Sequence, residues 1–172
     1  MEKKVTSNIV TGLIISLILI VLDLVAGFAN FKFATWYRWV PSLILVAALI
    51  WACINYGRQN DHNVTFGGVF AFGFKTTAVV ASILVVYTLL SIFLIFPETK
   101  DLALEMARKQ MEEKGNLSQD QIDKGIEITK SLFVPFAIGG AAFGTAIVGA
   151  ISSLIGAAAA KKNPQSPFET QP

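Results

Sequence analysis

The chain has 172 residues, of which 53% are hydrophobic and 15% are charged, and its net charge is +2. This composition is too apolar for an ordinary soluble domain and indicates one integral membrane domain. The sequence has no basic run with interleaved aromatic residues, so it does not support nucleic-acid binding. The single cysteine, Cys53, excludes an intramolecular disulfide, and its apolar surroundings predict an inert buried thiol.

Residues 9–28 form the first apolar run. At about 1.5 Å per residue, such a helix crosses a hydrocarbon core of about 30 Å. A cleavable signal peptide is the alternative, but the run is long for one and contains an acid, Asp23. Asp23 is therefore a candidate intramembrane polar site, because an acid within a span is often functional. It also lies near the end of the run, where it could reach the headgroups or pair with Lys32 or Arg38.

Residues 40–56 and 76–96 predict the second and third spans. An aromatic belt of Trp36, Tyr37 and Trp39 precedes the second span, as is typical at the level of the lipid headgroups. One helix from Phe66 to Phe96 would be about 46 Å long, which exceeds the thickness of the bilayer. We therefore expect residues 66–74 to lie at the interface or to bend.

Residues 97–131 interrupt the apolar sequence with eight acids and six bases. Pro97 suits the first turn of a helix, and the Lys114-Gly115 pair is typical of a helix end. Ser118 and Gln121 have the spacing of a capping box, which predicts the start of a second helix. The segment is predicted to be an extramembrane helical hairpin. It is either a solvated connector or a docking surface for a partner.

Residues 132–160 form the fourth span, which is rich in small residues. Their small-xxx-small spacings let neighbouring helices approach closely, so we expect this span to be the packing centre of the protein. The candidate helix-packing residues are Gly140, Gly144, Gly149, Ser153 and Gly156. The remaining residues, 161–172, contain three prolines and are predicted to be a disordered tail.

The predicted fold is all-α: an integral membrane four-helix bundle with an extramembrane helical hairpin between spans 3 and 4. Four spans place both termini on one side of the membrane. That side carries most of the basic residues of the short segments: Lys3, Lys4, Arg58, Lys161 and Lys162. Because basic residues favour the cytoplasmic side, both termini are expected in the cytoplasm.

Two short motifs open and follow the third span, and a charged helical segment and a glycine- and serine-rich last span come after them. The residues that carry the motifs are Phe66, Gly67, Phe70, Gly73, Phe74 and Pro97. With these features the sequence resembles a family of small four-span bacterial membrane proteins known as a domain of unknown function, DUF4199. The likeness covers nearly the whole chain. The resemblance implies a location in the bacterial inner membrane, and it implies no activity.

The sequence is compatible with three functions. The favoured one is a non-enzymatic membrane protein that packs with or regulates a partner, which is either a second copy or another membrane protein. The second is a small transporter or channel-like subunit that uses Asp23. The third, an intramembrane enzyme, needs a nucleophile–base pair or paired carboxylates, and Asp23 stands alone within its predicted span. No cofactor or metal is expected, because the only histidine, His62, has no neighbouring ligand set.

Overall fold

The computed structural model describes residues 5–29, 31–113, 115 and 117–160, and every regular element in this part of the chain is helical. A short 3₁₀ turn, Tyr37–Trp39, precedes the second helix, and π-helical turns at Ser91–Ile95 and Gly140–Gly144 follow the third and fifth helices. The six α-helices are α1 (Asn8–Phe28), α2 (Val40–Gln59), α3 (Phe66–Leu90), α4 (Thr99–Glu113), α5 (Gln119–Gly139) and α6 (Thr145–Ala159).

Four helical stretches are long and apolar enough to cross a membrane, which confirms the all-α class with four candidate spans. They are Asn8–Phe28, Tyr37–Gln59, Phe66–Ile95 and Gln119–Ala159. The third and fourth are longer than the sequence predicted. Residues 66–74 are the first turns of α3, without a break in the α-helix before Leu90; their place at the membrane interface stays a prediction. The predicted disordered tail, 161–172, lies outside the described residues.

Local sequence explains where these helices start. Ser7 caps α1 by accepting a hydrogen bond from the Ile9 N–H at 3.2 Å. Thr65 caps α3 in the same way through the Gly68 N–H at 3.1 Å. Pro41 occupies the first turn of α2, where a missing N–H costs nothing. The Ser7 and Thr65 side chains thus satisfy backbone donors that have no partner within the helix.

The chain divides into two compact units. The first, here called the core unit, comprises Met1–Ile83 and Thr145–Pro172, and the second, the hairpin unit, comprises Leu84–Gly144. In the core unit α2 packs against both α1 and α6. Its spans bury many small side chains together with a few large ones such as Leu49, and they leave other large apolar side chains exposed, for example Leu17 and Ile147. This distribution suits helices that pack through small residues and face lipid with large ones.

In the hairpin unit α4 packs against α5. Ile122 is the buried residue of α5. The Met111 sulfur on α4 lies 3.2 Å from the position that a Cβ on Gly125 of α5 would take. Arg108 also forms an ion pair with Asp123 at 2.8 Å. These contacts give the polar segment a defined helical hairpin, as the charge pattern and caps predicted.

The turn and cap of the hairpin follow the predicted chemistry. Gly115 has a φ of 68°, a conformation that glycine adopts without steric cost. Ser118 and Gln121 form both halves of the capping box: the Ser118 N–H donates to Gln121 Oε1 at 2.9 Å, and the Gln121 N–H donates to Ser118 Oγ at 3.4 Å. Two backbone donors at the start of α5 are thereby satisfied.

Candidate functional site

The centre of the core unit is a reciprocal contact between α3 and α6. A Cβ on Gly73 would lie 2.6 Å from Ser153 Oγ, and a Cβ on Gly149 would overlap the side chain of Thr77. Each helix therefore presents a glycine to the hydroxyl residue of the other helix. Because neither glycine carries a side chain, the two backbones approach more closely than larger residues would permit.

The hydroxyl groups at this contact are satisfied within their own helices. Ser153 donates to the Gly149 carbonyl at 2.6 Å, and Thr77 donates to the Gly73 carbonyl at 3.0 Å. Ser16 on α1 bonds to the Gly12 carbonyl at 2.7 Å in the same pattern. An unpaired hydroxyl in an apolar medium is costly, and bonding to the carbonyl four residues earlier removes that cost. The contact is therefore a steric fit of glycines and small hydroxyl residues.

The helices α2 and α1 join the same centre through further close contacts. A Cβ on Gly156 would lie 2.6 Å from Cys53 Cβ, and one on Gly12 would lie 2.7 Å from Val79 Cβ. Cys53 is fully buried, and its thiol lies 4.0 Å from the Val69 carbonyl oxygen. The predicted buried thiol is confirmed, and its position shows that it fills space between helices.

The structure divides the candidate packing residues of the last span. Gly149, Ser153 and Gly156 lie at contacts within the core unit, whereas a Cβ on Gly140 or Gly144 would meet no described atom within 4 Å. Those two glycines belong to the π-helical turn of the hairpin unit, so their role in helix packing stays a prediction.

Two glycines outside the last span pack as closely as those within it, and neither was predicted from the sequence to be a packing residue. Gly12 and Gly73 are each followed four residues later by a hydroxyl residue, Ser16 and Thr77. This is the spacing of Gly149 and Ser153 in the last span. Applying the same small-xxx-small criterion to every span, rather than to the most glycine-rich one, would have found them.

Asp23 lies in an ion pair near the end of α1. Its Oδ2 is 2.8 Å from Lys32 Nζ, and both side chains are about one-fifth to one-quarter exposed. Tyr37 donates a hydrogen bond from its hydroxyl to the Leu22 carbonyl at 3.2 Å. The pairing with Lys32 that the sequence allowed is confirmed. It neutralises the acid and ties the loop after α1 to the helix.

An open groove runs along the surface of the core unit between α1 and α2, with a volume of about 260 Å³. Asp23 is not among the residues that line it. In the part of the chain that the structure describes, no group of three or more His, Cys, Asp or Glu side chains is placed to hold a metal ion. The groove walls are Thr6, Thr11, Ile14, Ile15, Ile18, Ala48, Trp51, Ala52, Asn55, Tyr56, Gln59 and Phe72.

Comparison with known protein families shows which family the chain belongs to. The model of a protein family of unknown function, DUF4199, matches residues 7–162, which include all four candidate spans. The chain belongs to the DUF4199 family. No curated protein and no solved structure matches it.

The residues that carried the resemblance to DUF4199 have distinct positions. Gly73 lies in the α3–α6 contact, while Phe70 and Phe74 stack with ring centroids 5.9 Å apart. Phe66 and Gly67 are exposed in the first turn of α3, and Pro97 is exposed just after the π-helical turn. Of this motif, Gly73 therefore has the clearest structural role, because a Cβ at this position of α3 would collide with both Ser153 on α6 and Cys53 on α2.

The outer face of the hairpin carries apolar side chains. Leu102 and Met106 lie one turn apart on α4 and are 42% and 40% exposed, on the face opposite the one that packs against α5. On α5, Ile128 is 59% exposed and begins a stripe that continues through Leu132 and Phe136 toward the last span. The pair Leu102 and Met106, here called the α4 outer patch, sits on an otherwise charged helix.

Proposed function

We propose that this DUF4199 protein is a non-enzymatic membrane protein that packs with or regulates a membrane partner through its hairpin. The observation that supports this most directly is the α4 outer patch. The face of α4 that contacts α5 does not include Leu102 and Met106. Burial of these two neighbouring apolar side chains would therefore come from a partner.

The energetics favour an apolar docking contact at this patch. Complete burial of a fully exposed side chain of this size contributes about 1.5–3 kcal/mol. Leu102 and Met106 are 42% and 40% exposed, so each would contribute less than half of that amount. Methionine also adapts its shape to different surfaces. The hairpin is held in one conformation by the capping box, the Arg108–Asp123 ion pair and the burial of Ile122. A preformed element loses less conformational entropy on binding than a flexible one.

The geometry gives less support to a transporter that uses Asp23. The acid is paired with Lys32, and it does not line the groove. The buried hydroxyls of Ser16, Thr77 and Ser153 donate to carbonyls of their own helices. These groups form a packed centre, and a polar pathway would instead present them to a cavity.

The proposal includes a location in the bacterial inner membrane with both termini in the cytoplasm. The distribution of basic residues supports this orientation. Cysteines introduced separately at Leu117 and Gln165, in a Cys53→Ser background, test it through an impermeant thiol reagent applied to intact spheroplasts. We expect labelling at Leu117 alone, and labelling at Gln165 alone would reverse the orientation.

Photocrosslinking in native membranes tests the docking surface. A photoreactive amino acid at Met106 should capture one membrane protein, and the mass of the adduct identifies that protein as a second copy or another chain. The matched control is Glu112, which is also exposed on α4 but lies on a different face. A Leu102→Glu substitution should remove the Met106 adduct because it places a charge in the apolar contact.

Equal capture from Met106 and Glu112 would contradict the proposal, because it would show collision without a defined surface. Loss of the adduct must also occur without loss of the protein from the membrane. Leu102 is exposed, so its replacement by glutamate should leave the level of the protein unchanged.

A further inference from the structure

The groove in the core unit changes character along its length. At one end are Thr6, Asn55 and Gln59, and the Thr6 N–H donates to Gln59 Oε1 at 2.7 Å while Gln59 Nε2 donates to Thr6 Oγ1 at 3.0 Å. Toward the other end the walls are Ile18 and Ala48. The groove is therefore polar where α1 begins and α2 ends, and apolar further along the spans.

The length of the groove matches one leaflet of a bilayer. Its wall on α2 extends from Gln59 to Ala48, which at 1.5 Å per residue is about 16 Å. Half of a hydrocarbon core of about 30 Å is about 15 Å. The polar end then lies at the level of the headgroups, and the apolar part lies at the depth of the acyl chains.

The walls suit a flexible chain lying between two helices. Phe72 forms part of the wall and stacks on Tyr56, with ring centroids 4.1 Å apart. Ile14 and Trp51 are more than half exposed at the rim. Ala48 is small and only partly covered, so it leaves room that a leucine at the same position would fill.

The two sequence segments that adjoin the polar end, residues 2–6 and 58–61, carry a small excess of positive charge. Arg58 is exposed next to Gln59. The basic residues of these segments are Lys3, Lys4 and Arg58, and the acids are Glu2 and Asp61. An excess of basic residues at the level of the headgroups favours anionic lipids.

We propose that this groove binds one anionic phospholipid, whose acyl chain lies between α1 and α2 and whose phosphate lies near Thr6, Gln59 and Arg58. The site is separate from the α4 outer patch, so it does not depend on the proposed docking function. Bound lipid would fill the space between the two helices and stabilise their packing.

Native mass spectrometry of the full-length protein in detergent tests this site with phosphatidylglycerol and phosphatidylcholine of identical chains. The wild-type protein should retain phosphatidylglycerol in preference to phosphatidylcholine. Ala48→Leu should reduce retention of phosphatidylglycerol about fivefold or more, because the new side chain occupies the groove. The matched control is Ala47→Leu on the adjacent exposed residue, which should leave retention unchanged.

Arg58→Gln separates the headgroup from the chain. It should remove the preference for phosphatidylglycerol while the protein still retains lipid, and the melting temperature confirms that each variant is folded. Equal retention of the two lipids by the wild-type protein, or equal loss in Ala47→Leu and Ala48→Leu, would overturn the proposal. Displacement of a co-purifying protein by Ala48→Leu would also overturn it, since the occupant would then be a partner helix.

Discussion

The glycines of the core unit and those of the hairpin unit have different surroundings, although they occur in the same continuous stretch of helix. Gly149 and Gly156 face other helices so closely that an added Cβ would collide, whereas Gly140 and Gly144 face open space. Glycine is frequent in membrane helices in general. The comparison shows that a glycine marks a helix contact only where its face of the helix meets another helix.

The interactions within the core unit also differ in kind from those within the hairpin unit. The core unit relies on close approach of small residues with internally bonded hydroxyls, since lipid offers little hydrophobic drive between helices. The α4–α5 hairpin relies on a buried isoleucine, an ion pair and a capping box. These are the interactions expected where water surrounds the helices, because apolar burial then contributes to stability.

The largest effect is expected from Ile122→Ala in the hairpin. Removing a buried isoleucine side chain costs about 2–5 kcal/mol, and Ile122 is 2% exposed. Hydrogen exchange should accelerate in α4 and α5 while α2 and α6 stay protected. The control is Ile128→Ala, since Ile128 is 59% exposed. Equal acceleration in all helices would show that the two units do not open separately.

A smaller effect is expected when a glycine contact of the core unit is filled. Gly156→Leu would place a side chain against Cys53 and the Ile50 backbone, and overpacking costs about 1–3 kcal/mol. The melting temperature in detergent should fall by several degrees. Gly144→Leu on the same stretch should leave it unchanged, and Ile147→Leu is the volume-conserving control.

If Gly144→Leu lowered the melting temperature as much as Gly156→Leu, the contrast between the two sets of glycines would fail for the protein in detergent. A simultaneous change in oligomeric state would then identify Gly144 as a contact between molecules.

The capping box contributes less, and only to the hairpin. Ser118→Ala removes the acceptor for the Gln121 N–H and should cost about 1 kcal/mol of hairpin stability. Limited proteolysis between α4 and α5 should become faster. Ser131→Ala is the control, since Ser131 lies within α5 and is exposed. Equal proteolysis of both variants would contradict the role of the cap.

The smallest effect is expected at the ion pair of Asp23 and Lys32. Partly exposed pairs contribute at most about 1 kcal/mol. A double-mutant cycle with Asp23→Asn and Lys32→Gln, followed by thermal unfolding in detergent, should give a coupling no larger than this. A much larger coupling free energy would show that the pair is shielded from water. Asp23 would then again be a candidate functional residue.

The sequence determined the number of candidate spans, the helical hairpin and its caps, because these depend on local composition and on interactions over three or four residues. Apolar runs of membrane length fixed the spans, while Gly115, Ser118 and Gln121 fixed the turn and the start of α5. The partner of Asp23 could also be predicted from the sequence, since Lys32 follows only nine residues later.

Only the tertiary structure decided which small residues pack. Gly73 meets Ser153, and Gly149 meets Thr77, although these residues are more than seventy positions apart in the sequence. Which face of each helix turns toward its neighbour depends on the fit of all the packed helices at once, because every span is apolar around most of its circumference. For the same reason the groove between α1 and α2 could not be predicted, since its walls come from the start of α1, the end of α2 and Phe72 of α3.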